Sequence, residues 1–310
     1  MQQPRPADAA RTISERTGWT LSLGLYLLIA AAPLAYAQDA KPTPPAKTPV
    51  TKTQRAAPAK MVLEPRAMEL LKATSERLAT AKSMSFNAVA SYEYPSQLGP
   101  PILYTVRYDV TMQRPDKLRV IIPGDGPASE FYYDGKTMMA YAPGENLVAV
   151  ADAPPTIDGA LKAAFQKADI YYPFTDLIVA DPYAALTDGA TLAFYIGPSG
   201  IVGGVKTEMV AWADPVVFLQ IWIGVDDKLP RRIRAVYSAD PAQLRHEMDL
   251  SNWQLDAAIA AESFSSEKAK AAQLMKFNRP GNNHPAAGLR PPGNAKAPEA
   301  APNSAAAKSP

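Results

Sequence analysis

The stretch Ile102-Leu103-Tyr104-Thr105-Val106-Arg107-Tyr108-Asp109-Val110-Thr111-Met112 decides the fold. Every even position is apolar or aromatic, and Leu103, Thr105, Arg107, Asp109 and Thr111 hold the odd ones, polar in all but the first. In a strand, successive side chains point to opposite faces, so this alternation makes one apolar and one polar face. A helix would repeat every three to four residues instead. Such a strand must pair sideways and bury its apolar face.

Reading outward, Leu118–Ile122 is the next strand, opened by Arg114-Pro115-Asp116. Phe131-Tyr132-Tyr133 and Thr137–Tyr141 flank Asp134-Gly135, a dipeptide suited to a tight hairpin. Asn146–Ala151 comes after the Pro143-Gly144 turn, and further strands are predicted over Thr191–Ile196, Val205–Trp212, Val216–Val225, Arg231–Tyr237 and His246–Leu255. Helical spacing occurs in Pro65–Lys82, Asp158–Ala168, Pro173–Val179 and Asp181–Leu186, with Asp181-Pro182 suited to a capped start. Links between strands are short, which predicts antiparallel pairing. The fold class expected is α+β, a single strongly curved antiparallel sheet with helices on one side.

The ends differ from this core. Arg11 and Arg16, the apolar run Trp19–Ala32 and Ala35-Tyr36-Ala37 form the pattern of a cleavable export signal over residues 1–37. Residues 38–60 and 278–310 are rich in Pro, Ala and Lys and lack the large apolar residues a core needs, so they are expected to be disordered. The folded domain is expected over 61–277. It is acidic between two basic flanks. With 47% hydrophobic residues and no cysteine in 310 residues, it must be held by its core rather than by disulfides. Export and an acidic core argue against nucleic acid as a partner.

The apolar strand face offers candidate ligand-binding residues: Tyr104, Val106, Tyr108, Val110, Met112, Leu118, Val120, Met139, Tyr141, Phe194 and Met209. Methionine and aromatic side chains adapt to flexible apolar chains. Alternation alone does not distinguish a filled concave face from an open one.

Three motifs add a resemblance. Gln113-Arg114-Pro115-Asp116-Lys117-Leu118-Arg119-Val120, then Tyr133-Asp134-Gly135-Lys136-Thr137, then Tyr141-Ala142-Pro143 resemble the outer-membrane lipoprotein carrier family LolA. The nearest resemblance is to a poorly characterised family of predicted periplasmic proteins sharing that fold. The resemblance implies an incomplete β-barrel lidded by helices, in the periplasm, with a lipid or acylated lipoprotein as partner. It also implies that Arg114 helps to hold the lid. Gly197–Gly204 and Val216–Tyr237 do not align with the carrier, which leaves a sensor or scaffold domain that binds a membrane-associated partner protein as the alternative.

No catalytic residue, metal ligand or cofactor site is expected. His246 is the only histidine of the folded part and is expected at the surface; a hydrolase would have to use it. Arg231, Arg232 and Arg234 form a basic patch, suited either to lipid head groups or to guarding an edge strand.

Overall fold

The computed structural model describes residues 62–279 except 97, 98 and 125. The export signal, the linker 38–60 and the tail beyond 279 lie outside the described residues. Helix α1 (Pro65–Thr80) opens with proline in its first turn and buries Ala67, Leu70, Leu71, Thr74 and Leu78, the stripe that helical spacing predicts. Strands β1 (Ser83–Tyr94), β2 (Ile102–Gln113), β3 (Lys117–Ile122), β4 (Ser129–Tyr133), β5 (Thr137–Ala142) and β6 (Leu147–Asp152) come next. Helices α2 (Ile157–Ala168), α3 (Thr175–Ile178) and α4 (Pro182–Thr187) succeed them. The chain then forms β7 (Leu192–Ser199), β8 (Thr207–Ala213), β9 (Val217–Gly224), β10 (Pro230–Tyr237), β11 (Arg245–Leu255), α5 (Glu267–Ala271) and β12 (Gln273–Met275).

Among the described residues, all the named strands belong to one 12-stranded sheet ordered β12-β6-β5-β4-β3-β2-β1-β11-β10-β9-β8-β7. It is a mixed sheet and does not close. Neighbours are antiparallel except β12, which lies parallel to β6; this corrects the expectation of a purely antiparallel sheet. Sequence reading also missed β1, which joins the two halves of the sheet by pairing with β2 on one side and β11 on the other. Its inward positions include Ala88 and Ala90, fully or nearly fully buried but too small to give a strong alternating signal.

Local chemistry sets the turns and caps. The Asp134 carboxylate accepts the backbone N–H groups of Lys136 (2.9 Å) and Thr137 (2.8 Å), and Gly135 takes φ +95°, closing the β4–β5 hairpin. Thr156 Oγ1 accepts the Gly159 N–H (3.1 Å) at the start of α2. The Asp181 carboxylate accepts the Ala184 N–H (2.9 Å) at the start of α4, as Asp181-Pro182 predicted.

The main core shows the curvature. Met84 and Phe86 of β1, Val110 and Met112 of β2, Leu118 of β3, Phe131 of β4, Met138 of β5 and Leu250 of β11 share one buried cluster with Ile157, Ala160, Leu161 and Ala164 of α2 and Leu177 of α3. Strands this far apart in a sheet meet the same helices only if the sheet bends around them. A second cluster packs Ala67, Leu70 and Leu71 of α1 on Val210, Trp212, Ile221 and Ile223 of the other wing. The opposite face is not bare: Ala269 of α5 and Ala272, just after it, pack over Tyr132, Met139, Tyr141 and Val148. This departs from a sheet covered on one side only.

Candidate functional site

The concave face divides along its strands into a sealed floor and an open mouth. On the floor, Val110, Met112, Leu118 and Val120 are no more than 2% exposed beneath α2 and α3. They are core residues, filled over by the protein's own helices. Towards the mouth the same face of β2 continues through Tyr108, Val106 and Tyr104, the last 41% exposed.

Four predicted site residues lie on the other face. Met139 and Tyr141 belong to the cluster under α5, while Met138 points to the main core. Phe194 and Met209 alternate with Ala193 and Val210, which point into the second cluster. The error has a simple cause. Met138-Met139 and Leu192-Ala193-Phe194-Tyr195 are apolar at successive positions, so the two-residue period has no phase to read there.

Arg114 is half-buried at the floor's edge. Its Nε donates to the Ala81 carbonyl (3.2 Å) and its Nη2 to the Leu78 carbonyl (3.4 Å) at the end of α1. These carbonyls have no partner within the helix, so a guanidinium there both caps α1 and ties it to the sheet. Burial lowers the Arg114 pKa, with the Asp158 charge opposing the shift.

At the mouth lies a cavity of about 370 Å³, within the size range of small-ligand sites. Ile122, Phe131, Ala140 and Ala149 line it from β3–β6, Ile170, Tyr171 and Tyr172 from the segment after α2, Met275 from β12 and Phe277 from just beyond that strand. Of the predicted site residues, Tyr141 alone borders it. Sequence reasoning missed the rest because the walls come from segments far apart in the chain, one of them the three-residue β12.

Tyr172 also faces a wall of aromatic rings. Tyr172 stands edge-on to Phe131 (5.9 Å) and to Tyr108 (6.2 Å). Tyr92 stacks on Tyr104 (5.8 Å), and His246 lies between Tyr92 (6.3 Å) and Tyr237 (5.1 Å). His246 is therefore on the half-buried concave face, which corrects the expectation of a surface histidine; it belongs to the same alternating face as Met248 and Leu250. Its Nε2 is buried with no hydrogen-bond partner among the described residues, and burial lowers its pKa, with Asp240 and Glu93 pulling the other way. Burial pushes the Tyr108 hydroxyl up to about 12 and raises those of Tyr171 and Tyr172 further, so these phenols stay neutral.

Asp176, in α3, is close enough to Tyr171 for its charge to be felt there. It keeps an exposed surface, yet loss of surrounding water pushes its pKa up to about 6.

The convex side has different chemistry. Arg232 grips Asp249 through Nε (2.6 Å) and Nη2 (2.9 Å), Arg234 faces Glu247, and Arg231 pairs with Asp227. β10 is an interior strand, so the basic patch is neither an edge guard nor a free cationic surface. Among the described residues, no group of three or more His, Cys, Asp or Glu is placed to hold a metal ion.

Solved structures similar to this chain include the Mycobacterium tuberculosis lipoprotein LppX (11% identity, 64% of this chain and all of that one, TM-score 0.41). The LolA superfamily protein NE2245 from Nitrosomonas europaea is another (11% identity, 65% and 98%, TM-score 0.32). A third is the MucA/MucB complex of Pseudomonas aeruginosa (16% identity, 66% and 62%, TM-score 0.38). No curated protein matches the sequence. The family model described as "Predicted periplasmic protein (DUF2092)" matches residues 67–278, and the chain belongs to that family of periplasmic proteins.

Proposed function

We propose that this protein is a periplasmic binding or carrier protein, not an enzyme, that takes the apolar chain of a lipid or acylated lipoprotein into the mouth of its curved sheet. The observation that carries this reading is the cavity of about 370 Å³ between Phe131, Ala140, Tyr172 and Phe277. Burial of each methylene there would contribute about 0.8 kcal/mol. The tyrosine wall of β1, β2 and β10 supplies apolar ring faces together with neutral hydroxyl donors, which suits the boundary between an acyl chain and its polar end. The site is thus displaced from the floor residues Val110, Met112, Leu118 and Val120 to the mouth, with Tyr104, Val106 and Tyr108 kept and Arg114 in a positioning role.

Native mass spectrometry and solvent extraction of the chain purified from the periplasm test this. A co-purifying lipid, and displacement of an apolar fluorescent probe by added fatty acid, are the expected results. Ala140→Trp would fill the cavity and abolish displacement while the circular dichroism spectrum holds. Absence of lipid together with no displacement by the unaltered protein would end the carrier reading in favour of a scaffold that binds a partner protein.

A further inference from the structure

A sheet edge with unpaired N–H and C=O groups invites another strand, and folded proteins blunt such edges. Both outer edges here are blunted. On β7, the Ala193 N–H donates to the Val62 carbonyl (3.0 Å), the Ala193 carbonyl accepts the Glu64 N–H (2.8 Å), and the Glu64 carboxylate takes the Tyr195 N–H (2.7 Å). A bulge at Tyr195/Gly197 and Pro198 interrupt what is left. On the other side, β12 ends the sheet after three residues.

A third edge is treated differently. β2 pairs with β1 over its full length, Ile102 to Gln113, but with β3 only from Asp109 onward. Among the described residues, Ile102–Tyr108 therefore carries an open ladder on the β3 side. This segment has no proline and no lysine, and its one charge, Arg107, is held by Asp109 (2.9 Å). Ile102 and Leu103 are 48% and 63% exposed.

We infer that Ile102–Tyr108 pairs antiparallel with the same segment of a second copy of this chain, about a two-fold axis at Thr105. The side chains of this segment are self-complementary in that register. On the concave face, Tyr104 meets Val106 of the partner subunit and Ile102 meets Tyr108 of the partner subunit. On the convex face, Thr105 meets its own copy, a favourable cross-strand pair, and Leu103 meets Arg107 of the partner subunit. No like charges oppose each other, and the self-matching contact is what two-fold symmetry requires. The inference is independent of what occupies the cavity.

The chain has no cysteine, so Thr105→Cys introduces a lone thiol. Directly opposed residues of antiparallel strands have Cα atoms about 4.5–5.5 Å apart, within reach of a disulfide. Mild oxidation of the full exported chain carrying Thr105→Cys should give a covalent dimer. Leu103→Cys and Arg107→Cys should each fail alone and cross-link when mixed. Thr105→Pro should shift the protein from dimer to monomer in analytical ultracentrifugation without changing its circular dichroism. A monomer at the highest soluble concentration, with no Thr105→Cys dimer, would overturn the inference. Equal cross-linking at all three positions, or a different chain seated on the edge in place of the second copy, would also overturn it.

Discussion

Strand β2 runs through two environments. At one end Met112 is completely buried under the helices; at the other Ile102 is about half exposed. The same alternating face serves as core floor and as the rim of a hollow. What changes is the cover: α2 and α3 lie across the lower strands, while above them the segment Ile170–Tyr172 leaves space beside Phe131 and Ala140. Periodicity reports which face a side chain takes, and a second element decides whether that face is filled.

The largest expected effect separates the two ends directly. Val110→Arg places a charge beneath the helices with no partner, a cost that a domain of ordinary stability does not survive, and cooperative folding should be lost. Val106→Arg, two turns of the pleat away, should keep the native circular dichroism spectrum and lose displacement of an apolar probe by fatty acid. Unfolding of both variants would show that floor and mouth are one packed unit.

The next effect weighs the cover itself. Phe174 is fully buried, edge-on to Phe86 (5.6 Å) and Tyr108 (5.5 Å) and stacked on Tyr172 (5.4 Å). Phe174→Ala should cost about 3–5 kcal/mol in urea unfolding. Arg114→Ala removes two hydrogen bonds to the carbonyls of α1 and should cost about 1–3 kcal/mol by the same measurement. A loss of apolar-probe binding well beyond that change in stability would show that the tether also shapes the mouth.

The smallest effect is a pH dependence. The folded-state pKa of Asp176 is raised to about 6, because poor solvation penalises its charge. The folded protein therefore holds this proton more tightly than the unfolded chain does. The contribution is fully present below the ordinary aspartate range near pH 4 and is lost as pH rises through about 6. Unfolding titrations across this window should show the slope in the unaltered protein and its loss in Asp176→Asn. An identical slope in both would place the titration elsewhere.

Much of the fold was legible because local signals agreed. The β2 alternation, the Asp134-Gly135 turn and the Asp181 cap each imposed one conformation and occur as read. β1 was not legible because alanines replaced bulk at its inward positions, and β12 because a three-residue parallel strand has no period. Face assignments failed at Met139, Phe194 and Met209, where neighbours on both faces are apolar. The cavity lay beyond reach for a different reason. Its walls come from Phe131, Tyr172 and Phe277, and only the folded chain brings those residues together.

The brevity of β12 has a mechanical consequence. One wall of the cavity is carried by a strand of three residues at the margin of the sheet, where Leu274 is 74% exposed. Among the described residues that strand pairs with β6 alone, and short strands at a sheet margin are where folded domains open at the lowest free energy. The volume available to a guest is set from the rigid side by β3–β6 and can grow on the other by peeling back a short ribbon, with the floor beneath α2 undisturbed.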